Sequence, residues 1–171
     1  MSKIRALAVT ALLVGSLASV GQAADRATQG GPYASPQAFP NLTGIYRASG
    51  VRDNGGAINT GVATSIHCTN FTAVTQQVRH VIRNFNGVIT SNNTFNIPAL
   101  RTHTASTHGT VAFNEDAFLS TGTLIEQGGV YIEATTATVG CTVIVIDASL
   151  ANPVGYDLHL TRFNAASGSQ E

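Results

Sequence analysis

The sequence predicts an all-β protein, a single antiparallel β-sandwich behind a cleaved signal peptide. Three observations carry that expectation. The β-branched residues Thr, Val and Ile fill the body of the chain, and they suit a pleated surface better than a helix. Turn-forming clusters recur between the apolar runs: Asp53-Asn54-Gly55-Gly56, Asn86-Gly87, Gly128-Gly129 and Asn152-Pro153. No window of about 12 residues carries a 3.6-residue apolar period, so helices are expected to be short or absent.

Taken in order, residues 1–24 read as a secretory signal. Lys3 and Arg5 form a basic start, Ala6 to Val14 is nearly all apolar, and Gln22-Ala23-Ala24 leads to Asp25. The apolar run is too short for a permanent span, which takes about 20 residues. Lys3 is the only lysine. The exported part keeps seven arginines against nine carboxylates, a balance with little to offer a nucleic-acid backbone. Charged residues are 11% of the whole chain, against roughly 25% in ordinary domains. That excludes a disordered chain, a coiled coil and a polybasic binder. The chain is expected to be secreted or periplasmic, with no membrane span once the signal is removed.

Residues 25–41 hold Gly30-Gly31-Pro32 and Ser35-Pro36 without any period, and read as an extended arm. Residues 42–164 form the expected sandwich domain, and residues 165–171 a flexible tail. Candidate strands are Thr43–Ser49, Val62–Asn70, Gln76–Phe85, Val88–Ser91, Thr94–Thr107, Thr110–Phe113, Phe118–Gln127, Val130–Thr136, Cys141–Ala148 and Tyr156–Phe163. Asn86-Gly87 suits a tight type I′ turn, placing Phe85 opposite Val88 and Asn84 opposite Ile89. Gly128-Gly129 is expected to turn likewise, with Gln127 facing Val130 and Ile125 facing Ile132. Thr142 to Ile146 is apolar on both sides, which places it inside a sheet rather than at an edge.

Cys68 and Cys141 are the two cysteines. In an oxidising compartment the pair reads first as a disulfide, with two buried free thiols as the alternative. Closing a loop of about 70 residues would contribute ~4 kcal/mol in the chain-entropy model. Two stacked sheets with these cysteines facing across the gap would resemble an immunoglobulin-like sandwich in architecture. The tryptophan of true immunoglobulin cores is missing, since the chain has no Trp. A small outer-membrane barrel is the rival at this length, but aromatics are only 6% and the interfacial girdles of a barrel need them.

Among groups that carry chemistry, His67, His80 and His159 are metal candidates that only tertiary structure could bring together. His103 and His108, five apart, fall on opposite strand faces. No His-x-His, His-Glu-x-x-His or Cys-x-x-Cys spacing occurs, so scattered or satisfied histidines are the default and no cofactor is expected. A cupredoxin-like site would need Cys and His close together and a methionine; the lone Met is Met1. A copper–zinc superoxide dismutase would show close histidine pairs. Glu126 and Glu133 lie diagonally on the expected Gly128-Gly129 hairpin, in a range that overlaps glycosidase carboxylate pairs. Arg79 and Arg83 share a strand face that could take an anion. Asn41, Asn70 and Asn92 each begin an N-glycosylation acceptor triplet.

The leading functional expectation is an exported, non-catalytic module with a binding or structural role and a protein or glycan partner. The alternatives are a self-assembling subunit whose arm adds to a neighbour's sheet edge, giving a homo-oligomer, or a metal- or carboxylate-dependent enzyme.

Overall fold

A computed structural model of the chain describes residues 41–119, 123–164 and 169–170. The expected signal peptide, the arm up to residue 40 and most of the tail lie outside the described residues. Every regular element among the described residues is a strand. They are β1 (Thr43–Asp53), β2 (Val62–Asn70), β3 (Gln76–Arg83), β4 (Ile89–Ile97), β5 (Thr102–Ser106), β6 (Ala117–Phe118), β7 (Ile125–Ala134), β8 (Val139–Asp147), β9 (Gly155–Leu158), β10 (Thr161–Asn164) and β11 (Ser169–Gln170).

The strands form two sheets, ordered β11-β10-β1-β7-β3-β4 and β6-β5-β2-β8-β9. All pairings are antiparallel except the short β5–β6 pair. One apolar core joins the sheets: Ile45, Val51, Val78, Ile82, Val130 and Ile132 from the first meet Ile66, Cys68, Ala105, Val143 and Val145 from the second. Thr142–Ile146 lies where its two apolar faces require, on β8 between β2 and β9.

Cys68 and Cys141 are joined, but within one sheet. They are direct partners on β2 and β8 with Cα atoms 4.1 Å apart. The expected bridge across the gap is therefore corrected: both strands lie side by side in the five-stranded sheet.

The Gly128-Gly129 turn is a second correction. β7 continues through both glycines, pairing with β1 on one side, where the register shifts on either side of Val51 opposite Gly128, and with β3 as far as Gly129 on the other. A Cβ on Gly128 would stand 2.5 Å from the Arg83 carbonyl oxygen, so the glycine permits close backbone approach rather than a reversal. The expected Thr94–Thr107 strand divides at Pro98 and at Leu100, whose φ is 58°. Thr110–Phe113 is a loop. Tyr156–Phe163 divides into β9 and β10, which belong to different sheets.

Candidate functional site

The β3–β4 hairpin projects an aromatic ring from one end of the six-stranded sheet. Its body keeps the register that Asn86-Gly87 implies, with Val78 opposite Phe95 and Ile82 opposite Ser91. A bulge between Ile82 and Arg83 then shifts the tip, so Arg83 rather than Asn84 faces Ile89. The Asn84 side chain explains the shift. Its Oδ1 accepts from the amides of Asn86 (3.0 Å) and Val88 (3.1 Å), while the Gly87 amide donates to the Asn84 carbonyl. With Gly87 at φ 78°, this is the three-residue loop that ends in a left-handed glycine, in place of the tight type I′ turn.

Phe85 rides on that tip, 77% exposed. Two shallow grooves flank it, one of about 340 Å³ bordered by Arg83 and Gln127, the other of about 470 Å³ bordered by Asn86, Glu126 and Gln127. The continuation of β7 past Gly128 brings Glu126 and Gln127 there. Arg83 is oriented by donating from Nη1 to the Gly87 carbonyl at 2.7 Å. An apolar ring ringed by amides, a guanidinium and a carboxylate can stack a ligand and hydrogen-bond its rim.

The other binding candidates lie elsewhere. Arg79 and Glu133 face each other on β3 and β7 as a buried ion pair. Glu126 and Glu133 sit seven residues apart along one strand, about 23 Å, one exposed and one buried. The expected carboxylate pair is therefore absent, because the hairpin that would have made it is absent.

His67, His80 and His159 do not converge. His67 lies on the outer face of the five-stranded sheet, its Nδ1 3.0 Å from Thr104 Oγ1 and its ring 4.6 Å from that of Phe113. Burial lowers its pKa, and Glu115 acts against that. His159 is exposed between β9 and β10. As the disulfide stands, no group of three or more His, Cys, Asp or Glu among the described residues could hold a metal ion.

Ser65, Ser106 and Glu115 form a short chain near His67, with Ser65 Oγ 2.7 Å from Ser106 Oγ and Ser106 Oγ 3.2 Å from Glu115 Oε1. Both serines are fully buried, and the His67 Nδ1 contact goes to Thr104 instead. A nucleophile–base pair needs that missing bond and an open face. The chain is a packing feature.

In the interior, His80 comes from β3 and His103 from β5, their ring centroids 6.5 Å apart. Phe95 packs on both, at 5.5 Å and 4.5 Å. His80 Nε2 lies 3.6 Å from Cys68 Sγ. The Nδ1 atoms of both histidines are buried without a hydrogen-bond partner. Burial, then the neighbouring His103, pushes the His80 pKa down to about 3.

Comparison with protein-family models, curated proteins and solved structures finds no match. Residue reasoning singled out Arg83 and Glu126 but missed Phe85 and Gln127; the available signal was an aromatic directly before Asn86-Gly87. His103 was paired in sequence with His108 and so was missed as the neighbour of His80.

Proposed function

We propose that the chain is an exported, non-catalytic binding module of immunoglobulin-like sandwich architecture that takes a glycan at the Phe85 hairpin tip. The observation that carries this reading is the exposed Phe85 ring between two grooves edged by Arg83, Asn86, Glu126 and Gln127. A pyranose offers an apolar C–H face for the ring and a rim of hydroxyls for planar amide and charged groups. What sets Phe85 apart from the other exposed apolar side chains is the pair of concave, polar-edged grooves beside it, the form that small-ligand sites take. A disulfide accords with an oxidising compartment, which supports secretion or a periplasmic place. No helix among the described residues is long and apolar enough to cross a membrane.

The test is a glycan array probed with the disulfide-bonded mature chain, followed by titration of any retained sugar. Phe85→Ala should weaken binding by about 2 kcal/mol, roughly 30-fold, as for a central aromatic anchor, with an unchanged circular dichroism spectrum. Equal affinity of the variant, or retention of no glycan, overturns the reading.

One observation favours a second reading. β4 closes the six-stranded sheet and contains neither charge nor proline, the usual guards of an edge. Strand addition by the 25–41 segment of a second copy would use it. In that case deleting residues 25–41 abolishes oligomers in size-exclusion chromatography.

A further inference from the structure

We propose that reduction of the Cys68–Cys141 bond converts the interior cluster of Cys68, Cys141, His80 and His103 into a tetrahedral zinc site with two thiolate and two imidazole ligands. Three of the four stand in one row. Cys141, Cys68 and His103 are successive neighbours across β8, β2 and β5, and directly paired residues project from the same face of a sheet. The fourth, His80, reaches the row from the opposite sheet.

One edge of the ligand tetrahedron is already in place. Zinc bonds of ~2.3 Å to sulfur and ~2.05 Å to nitrogen at a tetrahedral angle set an N···S edge of ~3.6 Å. His80 Nε2 and Cys68 Sγ stand 3.6 Å apart. His103 brings a buried Nδ1 that has no hydrogen-bond partner, an arrangement that costs free energy in a protein interior unless a ligand occupies it. Phe95 packs against both imidazoles and keeps the surroundings apolar, which strengthens ligation. Cys141 is the half-buried residue of the pair, and it marks the side from which a reductant would approach.

The step balances. A dithiol reductant gives up two electrons and two protons and becomes a disulfide; the Cys68–Cys141 bond takes them and becomes two thiols. Zinc(II) then displaces both thiol protons. The bond thus masks the site in an oxidising compartment and exposes it in a reducing one.

The experiment uses the mature chain, reduced anaerobically with a phosphine, and titrates it with cobalt(II) as spectroscopic probe and then zinc(II) as competitor. The expected result is one cobalt per chain, with intense tetrahedral d–d bands and thiolate charge-transfer absorption, and no uptake by the disulfide-bonded chain. His80→Phe and His103→Phe, purified with the disulfide intact so that folding is secured first, should each weaken binding by about 100-fold or more, beyond the roughly 10–100-fold that losing an outer contact costs. Absence of tetrahedral bands in the reduced chain overturns the proposal. So do spectra and affinities that both histidine variants share with the parent, the signature of unfolded thiols scavenging metal.

Discussion

His80 has no exposed surface, and burial holds its imidazole neutral down to about pH 3. The unfolded chain protonates the same group near 6.5. Between those values the unfolded state carries a proton that the folded state lacks, so stability rises with pH across the window and falls on acidification. For this one group the slope is about 1.4 kcal/mol per pH unit. In urea unfolding of the disulfide-bonded chain His80 should contribute a loss of about 2 kcal/mol from pH 7 to pH 5; burial lowers His67 and His103 as well, so they add to it, and His80→Phe should reduce the total loss by about that amount. An equal slope in the variant would remove His80 as its source. Arg79 and Glu133 follow a different rule. Their pair is buried, so Glu133→Gln takes the carboxylate away from a buried guanidinium and should cost about 3–5 kcal/mol, while Arg79→Met with Glu133→Leu should recover most of it. Neither fate was legible in the sequence. A strand pattern tells which residues share a face; it does not tell whether that face is covered, and Arg79 and Arg83 on one strand meet opposite circumstances.

Elements were more legible than their ends. The β3–β4 hairpin was readable because Asn86-Gly87 allows few backbone shapes, and the body of the hairpin keeps the implied register. The tip slipped because Asn84 supplies a side-chain acceptor that no propensity scale weighs. Gly128-Gly129 was misread because two glycines serve a turn and a close strand approach equally well; only the Arg83 carbonyl beside Gly128 decides. Asn70 shows the same limit. Its acceptor triplet is a match of the kind that arises by chance in a chain rich in Asn and Thr, and the side chain is fully buried and clamps the link between β4 and β5. Its Nδ2 donates to the carbonyls of Val74, Ile97 and Pro98, and its Oδ1 accepts from Thr72. Asn70→Ala should therefore destabilise by about 2–4 kcal/mol. Asn70→Asp should be worse at neutral pH, since an anion would face three carbonyl oxygens. Thermal melts of the two variants check both the cost and its order.

For the whole molecule, the all-β class followed from composition and period, and the two sheets share the single core that those signals imply. The partner of each cysteine was readable from their number. Their placement within one sheet was not, because sheet membership is a long-range property that no local window holds. The same is true of the proposed binding end, where Arg83 and Phe85 on one hairpin meet Glu126 and Gln127 from a strand some forty residues on. The most direct measurement is a map of backbone amide shifts by nuclear magnetic resonance as a retained glycan is titrated into a chain of residues 25–171. Perturbations confined to Arg83–Val88 and Glu126–Gly129 are the predicted result. Perturbations centred on β4 or on the outer face around His67, with the hairpin tip unmoved, would contradict it.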